Sequence, residues 1–267
     1  PMDSKYWEVF FDKIRAISHT YDYRYMETPV LEKSELFKRA IGDDTDIVSK
    51  EMYTFKDKSN ENLTLRPEWT ASFMRAYIEN GLAHQSQPVK VYTHGALFRR
   101  ENPQAGRYRQ FHQANFEVIG SEKPVMDAEL IFVGWNFLKQ LGLKDIVVKI
   151  NSIGTPDSRK EYIDVLINYF ASKKSALNAD QKKRLKSNPL RLLDSKDKKL
   201  KTLVEQAPQS IDYLDDESHE HFKTVLEFLD EVEVTYQLDH TLVRGLDYYS
   251  RTTFEFFAVD PKTGEHS

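Results

Sequence analysis

Apolar residues recur every three or four positions in some stretches of the chain and alternate with polar residues in others. From Trp7 to Ile17 the spacing is helical, which predicts an amphipathic helix at residues 4–18. The same spacing predicts further helices at 34–41, 68–80 and 124–141. Each of these segments would bury one apolar face against the rest of the protein.

Other stretches have the alternation and the β-branched and aromatic content that are typical of strands. The two longest, 89–100 and 110–119, are joined by a polar loop at 102–109. Shorter strands are predicted at 23–28, 51–55, 63–66 and 146–150. Because long strands follow one another through hairpins, the pattern predicts an α+β fold, with an antiparallel sheet flanked by helices.

Between residues 156 and 231 the pattern is almost entirely helical and the composition is polar. Strand character returns at 232–238 and at 252–259. A strand-rich body that is interrupted by a helical stretch predicts an inserted subdomain. The predicted division is therefore a core at 1–155, a basic helical insertion at 156–231 and a return to the core at 232–267.

Composition narrows the class of protein. Of the 267 residues, 40% are hydrophobic and 30% are charged, which is typical of a soluble globular protein. No apolar stretch approaches the roughly 20 residues that span a bilayer, and no signal peptide is evident. The absence of cysteine excludes disulfides, a thiol nucleophile and zinc–cysteine sites. We therefore expect a cytoplasmic protein that does not bind a membrane.

Charge is distributed unevenly along the chain. The net charge is −4, yet residues 171–203 alone carry +8, which leaves −12 for the remainder. A basic block on an acidic body is suited to contact with a nucleic-acid backbone, and it is equally typical of a solvated helical surface. The candidate contacts within the block are Lys182, Lys183, Arg184, Lys186 and Arg191.

The second long strand carries an unusual polar face. Strand geometry places Phe111, Gln113, Asn115 and Glu117 on one side, and such a mixture usually lines a pocket. There Glu117 would accept a hydrogen bond from a cationic ligand, and Gln113 would donate and accept. Arg99 on the partner strand would hold an anion such as phosphate. The alternative is a solvent-facing strand pair with scattered ion pairs.

Two shorter segments also combine chemistry-bearing residues. Pro67 suits a first helical turn, so Glu68 would lie at a helix N-terminus. There it either complements the helix dipole or, with Thr70, binds an ammonium group. In the second segment, Arg244 precedes a glycine that allows a sharp turn, and two tyrosines follow. The alternative is a plain turn that is stabilised by a pair between Asp247 and Arg251.

Several common motifs are absent from the sequence. It has no nucleophile elbow, no phosphate loop of the Walker type and no Rossmann glycine pattern. His219 and His221 are two positions apart on a predicted helix, which is poor spacing for a metal. No protein side chain is therefore assigned to a metal, and a nucleotide site would have to be built on the sheet.

Taken together, these segments resemble the class II aminoacyl-tRNA synthetases and, among them, the histidyl-tRNA synthetases. Residues 98–101 (Phe-Arg-Arg-Glu) and 107–113 look like that family's second motif. Residues 244–249 (Arg-Gly-Leu-Asp-Tyr-Tyr) look like its histidine-specific signature, and 65–68 (Leu-Arg-Pro-Glu) matches it too. The resemblance covers nearly the whole chain and is weakest at 156–231.

The resemblance implies a set of site residues. The histidine pocket would use Glu68, Thr70 and Gln113 around the α-amino group, with Glu117 and Tyr249 reading the imidazole and Tyr248 lining the wall. ATP would be bound by Arg99, Glu101, Arg107, Phe111 and Arg244. Of these, Arg99 and Arg244 would act catalytically at the α-phosphate, usually with Mg²⁺. The implied reaction is histidyl-adenylate formation followed by transfer to tRNA(His), in a homodimer.

Two departures from the family pattern accompany the resemblance. Trp69 stands where the family usually has glycine, so it either alters the pocket wall or lies behind it. The family's third motif and anticodon-binding domain are expected after Ser267, so we expect a fragment of a longer enzyme.

Two other functions compete with the synthetase. The regulatory subunit of ATP phosphoribosyltransferase, in histidine biosynthesis, shares the fold but tends to lose the activation residues, and it binds histidine without charging tRNA. Here Arg99, Gln113, Glu117 and Arg244 are all present, which favours the synthetase. A general nucleic-acid-binding module would leave the polar face of the second long strand unexplained.

Overall fold

The fold was analysed in a computed structural model, which describes residues 4–42, 45–102, 106–195, 197–243 and 249–259. The described residues divide into two compact units, one up to Glu122 and one from Lys123 onward. Each unit has its own helices and sheets. The division into 1–155, 156–231 and 232–267 stays a prediction.

Among its described residues, the first unit contains three α-helices and two small sheets. Its helices are α1 (Ser4–Thr20), α2 (Ser34–Ile41) and α3 (Thr70–Glu79). Its strands are β1 (Arg24–Tyr25), β2 (Leu31–Lys33), β3 (Thr54–Lys56), β4 (Asn62–Leu65), β5 (Val89–Phe98) and β6 (Gln110–Ile119). One sheet has the order β1-β5-β6 and the other β2-β4-β3.

The antiparallel pair β5–β6 is the centre of the first unit. All ten residues of each strand pair in register, from Val89 opposite Ile119 to Phe98 opposite Gln110. On one face, aromatic residues of α1 contact the strands; Phe11, for example, lies 4.5 Å from His94 between ring centroids. On the other face, Phe73 of α3 belongs to a hydrophobic cluster with residues of both strands. The pair is thus covered on both faces.

In the described part of the second unit there are five α-helices and one sheet. The helices are α4 (Pro124–Gln140), α5 (Ser158–Ser172), α6 (Ala179–Ser187), α7 (Lys198–Glu205) and α8 (Asp216–Glu231). The strands β7 (Val147–Ser152), β8 (Tyr236–Leu238) and β9 (Thr252–Phe257) form a sheet of order β8-β7-β9. The predicted helical stretch at 156–231 is confirmed.

Some boundaries and pairings differ from the sequence prediction. The strand predicted at 23–28 is only two residues long, and the one predicted from 232 begins at Tyr236. A turn follows α8, in which Glu233 takes a φ of 54°, so the chain cannot enter the strand earlier. Two pairings are parallel, β1 with β5 and β7 with β8, whereas the other pairings are antiparallel as expected. Within the described residues, no helix is both long and apolar enough to cross a bilayer.

Candidate functional site

Three polar residues predicted for the site converge in the first unit. The Thr70 hydroxyl donates to Glu117 Oε1 at 2.6 Å. The backbone N–H groups of Thr70 and Ala71 donate to the two carboxylate oxygens of Glu68, at 2.6 and 2.9 Å. Glu68 therefore caps α3, whose first residue, Thr70, is two positions after Glu68. Helix capping and the predicted ligand site do not exclude each other, because the same cap fixes Glu68 beside Thr70.

The β6 face is arranged as its alternation predicted. Asn115 Nδ2 donates to Glu117 Oε1 at 3.0 Å, so these two side chains share one face. Gln113 is exposed and pairs across the sheet with Gly95. Phe111 is partly buried and packs against the cluster that includes Trp69 and Leu97. Asn115 orients Glu117, a role that sequence analysis did not assign to it.

Both carboxylates of this site have perturbed acidity. Burial raises the pKa of Glu117, although the hydrogen bonds from Thr70 and Asn115 partly oppose the shift. Burial also raises the pKa of Glu68; the backbone donors oppose that shift and the nearby Glu117 adds to it. A cationic ligand would lower both pKa values, since it would stabilise the charged forms. The pair is thus suited to receive an ammonium or a protonated ring.

Trp69 and Arg66 fill the space over Gly95. Trp69 is only 1% exposed, and the Arg66 guanidinium lies 3.8 Å from its ring centroid. A Cβ added to Gly95 would stand 3.4 Å from Arg66 Nη2 and 3.5 Å from Trp69 Cζ2, which is close contact with both side chains. Because Gly95 is the cross-strand partner of Gln113, the indole lies on the Gln113 side of the strand pair, and its burial places it in the core behind that face.

Arg66 has a structural role that its sequence position did not predict. Its Nη1 donates to Thr28 O at 2.6 Å and its Nε to Ala96 O at 3.1 Å. Burial lowers its pKa, and the surrounding acids oppose that effect. Arg66 therefore ties β5 to the chain before β2. The one signal in the sequence was an arginine at the end of a predicted strand.

Arg99 lies next to the carboxylate cluster. Its Nε donates to Pro67 O at 2.9 Å, and its guanidinium lies 5.2 Å from the ring centroid of Phe111. The carbonyl that Arg99 binds directly precedes Glu68 in the chain. The predicted phosphate-binding and amino-acid-binding residues of the first unit are therefore neighbours.

The loop after β5 contributes an ion pair. Arg107 Nη1 lies 2.8 Å from Glu101 Oε2. Glu51 lies close by, since its backbone carbonyl accepts from Arg100 N at 2.7 Å. Burial raises the pKa of Glu51, and the negative charge of Glu101 raises it further. Residues 103–105 of this loop lie outside the described part of the chain.

Most of the predicted histidine signature, residues 244–248, also lies outside the described residues, including Arg244 and Tyr248. So does Asp247, and with it the alternative Asp247–Arg251 pair. The Arg251 guanidinium forms hydrogen bonds with Glu217 and His221 instead. Tyr249 belongs to the second unit, where it is partly buried against a hydrophobic cluster. The predicted pairing of Tyr249 with Glu117, which lies in the first unit, stays a prediction.

The basic block lies partly on α6, which begins with a reciprocal cap. Asn178 Oδ1 accepts from Gln181 N at 2.9 Å, and Gln181 Oε1 accepts from Asn178 N at 2.8 Å. Leu185 is buried, which fixes the orientation of the helix. Three of the candidate cations are exposed, namely Lys183, Arg184 and Lys186. The other two, Lys182 and Arg191, are partly buried.

Among the residues that the structure describes, no group of three or more histidines, aspartates and glutamates could hold a metal ion. The described side chains therefore do not build a complete metal cage. Two carboxylates, Glu51 and Glu101, do lie near each other beside Arg107.

Comparisons with known proteins bear on this arrangement. The family model described as Histidyl-tRNA synthetase matches residues 1–265. The histidine–tRNA ligase of Halothermothrix orenii is 49% identical over 255 residues, which is 96% of this chain and 61% of that protein. The histidine–tRNA ligase of Streptococcus mutans is 45% identical over 265 residues, which is 98% of this chain and 62% of that protein.

A solved structure agrees with these relatives. The apo histidyl-tRNA synthetase of S. aureus superposes with a TM-score of 0.78 at 35% identity, over 100% of this chain and 61% of that one. The chain therefore spans about three fifths of the length of the relatives that it matches. The match covers both units and includes the Glu68, Arg99 and Glu117 segments as well as the signature at 244–249. The chain belongs to the histidyl-tRNA synthetase family, and its fold is that of the class II synthetases.

Proposed function

We propose that the full-length protein activates L-histidine with ATP to form histidyl-adenylate and then transfers the histidyl group to tRNA(His). The observation that carries this proposal is the cluster of Glu68, Thr70 and Glu117, with Arg99 bonded to the residue before Glu68. It places carboxylates that suit a cationic amino acid next to an arginine that suits phosphate. Family membership supports the same reaction.

In this proposal the carboxylate cluster binds histidine. Glu68, Thr70 and Gln113 bind the α-amino group, and Glu117 accepts a hydrogen bond from the imidazole. Tyr249 binds the other ring nitrogen and Tyr248 lines the pocket. The support for Glu117 is its orientation, since Thr70 and Asn115 both donate to the same oxygen, Oε1. That arrangement leaves Oε2 as an acceptor for the ligand.

Arginines would bind ATP in the same proposal. Arg99 holds the α-phosphate, Arg107 and Glu101 lie towards the outer phosphates, and Phe111 stacks on adenine. Arg244 faces the α-phosphate from the other side. Attack of the histidine carboxylate on that phosphate brings two negatively charged groups together. Two fixed guanidiniums stabilise the charge as it redistributes in the transition state.

Magnesium would accompany ATP. Mg²⁺ prefers oxygen ligands and usually retains several waters, with one or two carboxylates and the phosphates completing its shell. Glu51 and Glu101 fit this requirement, because burial and then repulsion by Glu101 raise the pKa of Glu51, and a nearby cation would oppose both effects. The ion would neutralise phosphate charge. The side chains of this chain orient the two reactants.

Two macromolecular partners belong to the proposal. The basic residues Lys182, Lys183, Arg184, Lys186 and Arg191 contact the backbone of tRNA(His). A second copy of the chain packs on α1 and β1, which expose Tyr6, Trp7, Val9 and Tyr25. Exposed aromatic residues are enriched at such interfaces.

The regulatory subunit is the competing function. One structure titled as an ATP phosphoribosyltransferase regulatory subunit/histidyl-tRNA synthetase, from Bacillus halodurans C, has a TM-score of 0.68 at 20% identity, which is evidence for the shared fold alone. The two functions are separated by histidine-dependent exchange of pyrophosphate into ATP, measured on the full-length protein. We expect exchange that requires histidine. Well-folded protein that binds histidine and shows no exchange would support the regulatory function.

A further inference from the structure

A buried side chain holds the backbone that leads into signature residues 244–248. Asn151 in β7 is 4% exposed, and its Nδ2 donates to Leu242 O at 3.1 Å. The same amide contacts Ser210 Oγ at 3.2 Å, and Ser210 in turn donates to Ser152 O at 2.7 Å. The Asn151 amide is therefore fixed from two sides, and it holds the chain two residues ahead of Arg244.

The residue that follows the segment is held as well. Arg159 in α5 donates through Nη2 to Tyr249 O. The same guanidinium donates through Nε to Ile153 O at 3.1 Å and through Nη2 to Gly154 O at 3.3 Å. Because these carbonyls directly follow β7, Arg159 ties Tyr249 to the end of the strand that contains Asn151.

The turn after β7, at Ile153 and Gly154, is where these contacts converge. Gly154 takes a φ of 63°, and a Cβ added there would lie 2.4 Å from Ser158 Oγ, so only glycine fits. Its carbonyl accepts from Arg251 N at 2.8 Å, and Ile153 N donates to Arg251 O at 2.9 Å. The chain on both sides of the signature therefore returns to one short stretch at the end of β7.

Hydrophobic packing adds to the hydrogen bonds. Leu242 and Val243 are both buried. Val243 is a member of the cluster formed with α5, and Tyr249 packs against the same cluster. Movement of either flank would therefore expose apolar surface as well as break a hydrogen bond to a buried or partly buried donor.

We propose that Asn151 and Arg159 are positioning residues for the signature segment. Asn151 holds the chain that leads into Arg244, and Arg159 holds the backbone of Tyr249. This inference rests on the proposed function, in which Arg244 acts at the reacting phosphate and Tyr249 binds the imidazole. Neither Asn151 nor Arg159 contacts a substrate. Each acts by fixing where a substrate-binding residue stands, and small displacements of such residues are costly for catalysis.

The two residues have different expected kinetic effects. Asn151→Ala should lower kcat of histidine-dependent pyrophosphate exchange by about 10- to 100-fold, because the arginine at the phosphate loses its fixed position. The dissociation constant for histidine should change by less than about threefold in this variant. If Asn151→Ala does not fold, Asn151→Leu removes the same donor and leaves a smaller cavity.

Arg159→Met keeps an unbranched side chain that reaches about as far as Nε and removes all of the guanidinium donors. This variant should weaken histidine binding by about tenfold, because it releases the carbonyl of Tyr249. Arg159→Lys should recover part of that loss, since its ammonium can reach a carbonyl but cannot bond all three. Calorimetric titration of histidine into the full-length protein measures both effects.

Ser210→Ala is the matched control for Asn151. It removes the buried hydroxyl that bonds to Asn151 and Ser152 but leaves the bond from Asn151 to Leu242. It should lower the melting temperature as Asn151→Ala does, but lower kcat by less than about threefold, because the bond from Asn151 to Leu242 O remains. Lys160→Ala, on the same helix as Arg159 and paired with Asp157, should leave histidine binding unchanged. If the controls match their test variants in kcat and in histidine binding, both residues have only a structural role and the inference is wrong.

Double variants separate this inference from the proposed function. When Arg244→Ala is already present, Asn151→Ala should cause no further loss of kcat, and Arg159→Met should add nothing to the loss of histidine binding in Tyr249→Phe. Additive losses would overturn the positioning role. If Arg244→Ala and Tyr249→Phe alone leave exchange and binding intact, the failure belongs to the proposed function of those two residues.

Discussion

At the scale of single residues, Glu117 illustrates how one position can serve binding at a cost to folding. Its carboxylate accepts hydrogen bonds from Thr70 and Asn115, yet burial raises its pKa. A carboxyl group whose pKa is higher in the folded state favours folding in its protonated form. Its stabilising effect is therefore complete below the pKa of the unfolded chain, about 4.3, and is lost as pH rises through the folded value.

Glu117→Gln should therefore stabilise the fold at pH 7 and weaken histidine binding. The amide copies the protonated carboxyl, still accepts from Thr70 and Asn115, and carries no charge. We expect a higher melting temperature than in the wild type at pH 7, with the difference vanishing below about pH 4. Loss of a charged acceptor should weaken histidine binding by about 10- to 100-fold.

Thermal melts from about pH 3 to pH 8 and histidine titrations test this prediction. Glu79→Gln is a suitable control, because that side chain is 59% exposed and bonds to Arg75 at the surface. A Glu117→Gln variant that is less stable than the wild type at pH 7 would contradict the assigned electrostatics.

Much of the site was predictable at this scale, and the reasons are local. Strand alternation placed Glu117 and Asn115 on one face, and Pro67 placed Glu68 at the start of a helix. The stack of Arg66 on Trp69 over Gly95 was not predictable. It depends on three segments that meet only in the folded chain, and a residue without a side chain leaves no hydrophobic signal.

At the scale of elements, periodicity located the helices and the two long strands. It could not give the parallel pairings of β1 with β5 and of β7 with β8, because these join segments that are distant in sequence. Nor could it distinguish a strand that begins at 232 from one that begins at Tyr236, since the intervening Val234 is buried without being in a strand. Hydrophobicity reports burial, and burial alone does not specify the backbone conformation.

Helix α6 makes the basic block testable as an element. The reciprocal Asn178–Gln181 cap and the buried Leu185 fix the helix, so its cations have a defined side. Replacing Lys182, Lys183 and Arg184 by glutamine should weaken binding of tRNA(His). The slope of log K against log salt should decrease in magnitude by roughly 2–3, since each phosphate contact contributes about 0.7–0.9.

Filter binding at several salt concentrations measures this slope. The matched control replaces Lys139, Lys160 and Lys223, which are exposed on other helices of the same unit and lie outside residues 171–203. That variant has the same change in net charge. An equal decrease in the salt-dependence slope in both variants would show a general charge effect. An unchanged slope in the α6 variant would mean that the α6 surface faces solvent and does not contact tRNA.

At the scale of the whole molecule, the described residues form two compact units that divide between Glu122 and Lys123, a boundary that the sequence did not suggest. Composition changes identify helical or basic stretches, but a compact unit is defined by contacts between residues that are distant in sequence. The hydrophobic cluster of α4 and α8, for instance, joins residues almost a hundred positions apart, such as Ile131 and Val225. No local signal in the sequence marks such a closure.

The exposed residues of α1 give a prediction about assembly. Tyr6 and Val9 are 65% and 52% exposed and lie three positions apart, so they form an apolar patch on one face of the helix. If α1 forms the proposed homodimer interface, Tyr6→Glu combined with Val9→Glu should convert the full-length protein from a dimer to a monomer, because a C2 interface repeats each introduced charge. Sedimentation equilibrium measures the mass. Ile78→Glu, at a residue of the same unit that is 68% exposed, should leave the dimer intact. A double variant that stays dimeric at micromolar concentration would place the interface elsewhere.

The pairing of β7 with β9 has a consequence for synthesis on the ribosome. Asn151 and Ser152 lie opposite Thr253 and Thr252, so the sheet closes over a separation of about a hundred residues. At about 5–20 residues per second, β7 leaves the ribosome some 5–20 seconds before the strand that completes its sheet. The β5–β6 hairpin has both of its strands much earlier. In the nascent chain, the cluster of Glu68, Thr70 and Glu117 can therefore form first. The contacts of Asn151 and Arg159 with the residues that flank the signature form last.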